Sequence, residues 1–455
     1  MKKSRGYEIP KVFEEAHARG FSGFQLAPNP EELLDPRDPD RTLRPERYSH
    51  ETVLKRRAPN ANRQASLAEI EALKAKAEQV LAGPHRYEAQ AVIGGMPVRL
   101  RTNSPHASNF WRRNWFLTDP AAVDAAAGRY GVAVVRMWCA LERRDPDSAG
   151  AYYCRETSEC VFWNTDYYGQ MKSWALGAAG AELARFGIHS IHGACVDING
   201  HGVLIIAPTG TGKSTYTQLL AYVEALDPRL TGEINSDDWV YVKDGVATPS
   251  ERHIYVRTNA VRDDLDEAAM DPGMAKLKGI FDASPAENVP VGAGRRLYSE
   301  VPNSRCMIDP GTLARVTFRT PIDLIVLLRR DDRSPFERFL STVEALAVLE
   351  EGEFTVQPGA GPKEQWGKLA KEPWYNPYLL RPDREFERRM FASYQDVHGA
   401  RYLIYNTGAA VCAREFGIKK PVEALTHEDY QRIIEGTGRR ILERLEEVAA
   451  AKRRR

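Results

Sequence analysis

Apolar residues along the chain follow two rhythms. Compact runs such as Val203-Leu-Ile-Ile206 and Ile322-Asp-Leu-Ile-Val-Leu-Leu328 have the length and branching of buried strands. Spaced positions such as Leu67, Ile70, Leu73, Ala77, Val80 and Leu81 recur at helical intervals, with Ser66 as a candidate N-cap. Further strands are expected over 91–93, 97–101, 132–138 and 159–164, and helices over 121–130 and from Tyr167 to Arg185. Residues 66–187 therefore read as a mixed α+β domain. Residues 1–65 are rich in Pro, Arg and Asp, with weak periodicity apart from Val12–Ala18, and read as an irregular arm.

Residues 188–455 read as a second domain. Alternation through Ala194, Val196 and Ile198 meets a turn at Asn199-Gly200 and returns as Val203–Ile206, which is a β-hairpin. A helix is expected over 215–223. Strands follow over 234–242, 253–257, 322–328 and 400–408, with helices over 337–349 and 430–449. The class is α/β, with α and β mixed.

Between the buried strand and its helix lies Ala207-Pro208-Thr209-Gly210-Thr211-Gly212-Lys213-Ser214-Thr215. This has the form of a phosphate-binding loop, with Ala207 at the usual first glycine. Gly210 and Gly212 let successive N–H groups turn toward an anion, and the helix N-terminus adds its positive end. Lys213 can reach the β- and γ-phosphates of a nucleotide, and Ser214 can ligate Mg²⁺. Asp237 and Asp238, expected in a strand about 25 residues further on, supply carboxylates for a metal or for proton abstraction.

Composition removes other classes. Lys plus Arg number 63 against 62 Asp plus Glu, so no overall field favours nucleic acid or a membrane. No apolar run reaches membrane-spanning length, and a soluble, cytoplasmic protein is expected. Six cysteines form no C-x-x-C pair, which argues against a zinc site or a disulfide framework.

The order His-Gly, Val-Asp, Gly-x-Gly-Val-Leu-Ile, Gly-Thr-Gly-Lys-Ser, Asp-Asp resembles the superfamily of HPr kinases and phosphoenolpyruvate carboxykinases. Flanking segments extend the likeness toward the ATP-dependent carboxykinases. These are Gly95-Met-Pro-Val-Arg-Leu100, Trp111-Arg-Arg-Asn-Trp-Phe116, Tyr167-Tyr-Gly-Gln-Met-Lys-Ser173, Asn303-Ser-Arg305 and Tyr402-Leu-Ile-Tyr-Asn-Thr-Gly408. The resemblance implies a two-domain carboxykinase-like fold with the loop in a mixed sheet. It also implies ATP with Mg²⁺ at Lys213 and Ser214, and a second divalent metal, typically Mn²⁺, at His192 and Asp238. Arg305 would neutralise the transferred phosphoryl group. Tyr167 and Lys172 would line the substrate pocket, and Arg57 would grip a substrate carboxylate. In that family oxaloacetate loses CO₂, and the enolate takes the phosphoryl group of ATP.

Three segments depart from the pattern. Ser173 stands where the carboxykinases have a metal-ligating lysine. The strand after Leu324 lacks the family continuation, and Ala409-Ala-Val-Cys-Ala-Arg414 replaces a glycine-rich turn. A kinase on the same scaffold is the alternative, with Asp237 or Asp238 as general base and a small-molecule or protein hydroxyl as acceptor. A non-catalytic nucleotide sensor is a third reading.

Overall fold

The computed structural model describes residues 61–454 without 85, 117–120, 122–123, 126–133, 143–147, 209, 259–260, 262–271, 283, 285, 288–303, 332–333 and 357–362. Most of the expected arm over 1–65 and of the helix over 121–130 lies outside these residues. Where the arm ends, Ala61–Gln64 forms a strand rather than irregular chain. The chain is mixed α/β and divides into two compact units.

One unit runs to Phe186 and takes back Ser250–Leu313; the other comprises Gly187–Pro249 and Ala314–Arg455. The sequence reading kept 250–313 with the loop. The excursion leaves and re-enters through neighbouring strands, since Val246–Pro249 pairs with Thr320–Arg329. Its ends are thus close together, and an insertion between close ends adds little closure entropy.

The first unit is built on a six-stranded mixed sheet. Its order is Ala61–Gln64, Gly150–Cys154, Glu159–Trp163, Val135–Ala140, Met96–Thr102 and Tyr87–Ile93. Alternate side chains face opposite ways. Val161 and Trp163 meet Ile70, Ala77 and Leu81 of the helix Leu67–Leu81, while Phe162 meets Trp174 of the helix Tyr168–Leu183. Ser66 caps the first of these helices in a reciprocal pair with Glu69. Ile254–Arg257, Arg305–Ile308 and Ala286–Glu287 add a small antiparallel sheet.

The second unit is centred on the expected hairpin. Gly193–Ile198 pairs antiparallel with His201–Ile206 through a turn in which Asn199 and Gly200 both have positive φ. His201–Ile206 lies parallel to Thr320–Arg329, which lies parallel to Arg401–Asn406. Val203 and Ile205 face a core shared with the helices Lys213–Ala221 and His427–Arg453. Leu204 and Ile206 face a second core with Thr342–Glu351 and Arg384–Asp396. Burial on both faces explains the unbroken apolar run.

Two local expectations are corrected. Residues 337–349 are not one helix: Glu337–Leu340 is a strand, and Ser341 caps a helix over Thr342–Glu351. Asp237 and Asp238 lie at a bend between Gly232–Ser236 and Val240–Lys243 rather than within a strand. Among the described residues, no helix is long and apolar enough to cross a membrane.

Gly232 lets the helix Lys213–Ala221 sit down on the sheet. A Cβ there would lie 2.4 Å from the carbonyl oxygen of Leu220 and 2.8 Å from that of Ala221. Gly232→Ala is expected to destabilise the second unit by about 1–3 kcal/mol through overpacking, read as a lower urea midpoint. An unchanged midpoint would show that the helix end moves away freely.

Candidate functional site

The candidate residues fall into two clusters, one in each unit. In the second unit the loop turns through Gly210 (φ 85°) and Gly212 (φ 110°), a left-handed region open to glycine. Gly212 is the N-cap of the helix Lys213–Ala221 and offers no capping side chain, so the first N–H groups of the helix face outward at the loop. Two threonines brace the loop: Thr211 Oγ1 donates to Pro208 O at 2.7 Å, and Thr407 Oγ1 donates to Thr211 O at 3.0 Å. Thr407 is itself placed by Asn406, whose amide donates to Asp331 O and Ser334 O and whose oxygen accepts from the Gly408 N–H. The Asn-Thr-Gly motif therefore acts as a support of the loop. Ala409–Glu415, in place of a glycine-rich turn, is a short helix.

The bend carrying Asp237 and Asp238 lies opposite the start of the helix Lys213–Ala221. Lys213 Nζ donates to Asp238 Oδ1 at 2.8 Å, and Ser214 Oγ donates to Asp237 Oδ2 at 3.3 Å. His192 Nε2 is 3.4 Å from the same Asp238 Oδ1, while its Nδ1 bonds the carbonyl of Tyr375 at 2.8 Å. The bend is fixed by Trp239, whose indole donates to Ser190 Oγ at 2.8 Å and whose carbonyl accepts from Ser236 Oγ. A hydroxyl, two carboxylates and an imidazole held through Nδ1 make a donor set suited to Mg²⁺ or Mn²⁺. Among the described residues no three His, Cys, Asp or Glu side chains already form a metal cage. Glu372, absent from the sequence reading, lies in the field of His192 and Lys213; burial pushes its carboxyl up against their pull.

In the first unit Tyr167 is the N-cap of the helix Tyr168–Leu183, and its ring folds over Gly169. Lys172 is buried, with Nζ 3.1 Å from Glu251 Oε2 and 5.9 Å from the centre of the Tyr255 ring. Ser173 turns its hydroxyl back onto the Gly169 carbonyl at 2.9 Å. Arg305 opens its strand opposite both Arg257 and Glu287. Burial, then the charge of Arg305, holds Arg257 down at about 10, with Tyr167 acting in the opposite sense. Arg257 is a site residue that strand periodicity did not single out; its register against Arg305 reveals it. Arg57, Thr209 and Asn303 lie outside the described residues. All six cysteines are buried, and none is in a disulfide.

Glu287 is the fully buried hub beside this cluster. It accepts from the Tyr168 N–H at 2.9 Å, from the Tyr255 hydroxyl, and pairs with His106 Nε2. Burial opposes both charges, yet the pairing wins. His106 is raised above its ordinary 6.5 by Glu287 and Asp166, and Glu287 is lowered below 4.5 by His106 and its hydrogen bonds. The stabilisation from His106 is complete below 6.5 and lost as pH rises through its folded value; that from Glu287 is complete above 4.5 and lost on acidification. The melting temperature of the protein should therefore fall as pH rises above 6.5, and His106→Gln should flatten that limb. An alkaline limb unchanged in His106→Gln would exclude the pair as its source.

Compared with known proteins, the chain matches no family model and no curated protein.

Proposed function

We propose that the protein is an ATP- and divalent-metal-dependent phosphotransferase of the carboxykinase-like type, with oxaloacetate or a related small carboxylate as acceptor. The observation that carries this reading is the paired opposition of Lys213 to Asp238 and of Ser214 to Asp237, at 2.8 and 3.3 Å, behind a glycine loop on a buried strand. Neither a structural turn nor a chance ion pair calls for both contacts together.

ATP supplies the phosphoryl group, and its divalent cation spreads the charge that develops in transfer. The chain positions and neutralises. Loop N–H groups and Lys213 hold the β- and γ-phosphates, and Ser214 and Asp237 present hard oxygens to Mg²⁺. His192 and Asp238 present a nitrogen and an oxygen to a second cation. The first unit carries Arg305 and Arg257, whose planar guanidinium groups are of the kind that bind phosphate or carboxylate oxygens. In the carboxykinase reaction the C–C bond to the departing CO₂ breaks, leaving an enolate whose oxygen takes the γ-phosphoryl group and leaves ADP.

A kinase reading has one specific observation in its favour. Ser173 bonds its own helix instead of presenting an amine, so the acceptor side differs from that of the carboxykinases. Asp237 or Asp238 would then take a proton from an acceptor hydroxyl.

The two readings separate in one tube containing ATP, Mg²⁺ and Mn²⁺, with and without oxaloacetate. Phosphoenolpyruvate formed in step with ADP supports the carboxykinase; ADP release indifferent to oxaloacetate supports the kinase. Lys213→Ala should lower turnover by about 100-fold or more with the melting temperature kept, since its ammonium meets the part-exposed Asp238 rather than the apolar core. Wild-type rates in that variant would sink both readings.

A further inference from the structure

Trp374 and Tyr375, neither of them glycine, are consecutive left-handed residues with φ of 61° and 50°. They sit at the centre of a turn closed by the Asn376 N–H on Pro373 O at 3.2 Å, where Gly and Asn are the ordinary choice. Such backbone is strained and persists only where its surroundings enforce it. Here both side chains are buried in one core. Trp374 stacks on Phe391 at 5.5 Å and 10°, and the Tyr375 hydroxyl donates to Glu353 O at 3.3 Å. The start of the turn is pinned as well. The Glu372 N–H donates to Gly352 O at 2.9 Å, and a Cβ on Gly352 would collide with Glu372 O.

What the strain holds in place is a carbonyl. Tyr375 O lies 2.8 Å from His192 Nδ1, and since a carbonyl only accepts, that nitrogen carries a proton. The neutral ring then keeps its lone pair at Nε2, on the side of Asp238. The competing tautomer would donate from Nε2 to Asp238 Oδ1 across the longer distance of 3.4 Å, to an oxygen that Lys213 already holds at 2.8 Å. It would also set the Nδ1 lone pair against the carbonyl. The segment grips the site a second time through rings: Tyr378 lies 6.0 Å from Trp239, and Trp239 lies 5.5 Å from His192. A relaxed, right-handed backbone at 374–375 would fill the core equally well but would re-aim the carbonyl.

We infer that Trp374 and Tyr375 are positioning residues, whose left-handed pair fixes the tautomer of His192 and keeps its Nε2 lone pair turned toward Asp238. All of these residues lie in one unit. The inference rests on the proposed function for its purpose, an imidazole that presents a lone pair to the site. The tautomer itself is a property of the chain alone.

The test labels the histidines of the full chain with ¹⁵N and reads their ring nitrogens in alkaline buffer, with His192→Gln identifying the signals of His192. Wild type should show a protonated Nδ1 and a bare Nε2; a bare Nδ1 overturns the inference. Trp374→Gly should melt at a higher temperature than Trp374→Ala, the reverse of the usual order, because glycine accepts the left-handed backbone. The usual order would show that the turn stores no strain and would sink the device. Trp374→Leu keeps apolar bulk without the stack. It should spread the proton over both nitrogens and lower kcat by about tenfold or more, with KM for ATP kept. A Trp374→Leu protein that retains the wild-type tautomer overturns the positioning role, whatever its stability. The expected tautomers in a wild-type protein that releases no ADP would support the turn and sink the proposed function.

Discussion

Burial of the strand His201–Ile206 on both faces is the constraint on which the second unit depends. Val203, Leu204, Ile205 and Ile206 are all fully buried, alternating between two cores. Each such side chain contributes roughly 1.5–3 kcal/mol on leaving water, an upper estimate because unfolded chains are partly compact. The strand is flanked by Gly193–Ile198 and Thr320–Arg329, so its end cannot shift without breaking two ladders. The loop from Ala207 onward starts from that fixed point. Precision in the loop thus follows from hydrophobic burial, and the glycines supply only the freedom to turn.

Polar groups then lock what burial has placed. Thr407, supported by Asn406, ties the loop to the end of Arg401–Asn406. Trp239 ties the bend of the two aspartates to Ser190, two residues before His192. The first unit uses the same logic around Glu287, where three donors converge on one carboxylate with no water-facing surface. A buried carboxylate so saturated holds a strand and two helices in register, and removing any single partner would strand charge in an apolar setting.

What the sequence disclosed was local pattern. Apolar runs and the Asn199-Gly200 turn are contained in a few consecutive residues, and each forms where expected. The error at 337–349 arose because Phe339 and Leu340 of a strand adjoin the apolar positions of a helix. The signal that separates them is Ser341 with Glu344, a reciprocal cap. Glu372, Arg257 and Glu287 carry no local signature, since each gains meaning from residues tens to hundreds of positions away. Membership of 250–313 in the first unit is invisible for the same reason.

The distribution of charge around Asp238 explains why the bend and the loop form one device. Two adjacent carboxylates repel, and at this bend each is offset by a group from the start of one helix, Lys213 for Asp238 and Ser214 for Asp237. Asp237 is nearly buried whereas Asp238 is 38 % exposed at its side chain, so the stronger partner serves the carboxylate that water also reaches. Lys213 is itself about nine-tenths buried, and without Asp238 its ammonium would sit in the protein uncompensated. The lysine is tolerable there because Asp238 is present, whereas Asp238 itself keeps contact with water. A buried lysine held by a half-open carboxylate is therefore also one that an arriving anion can recruit, provided a cation takes its place at Asp238.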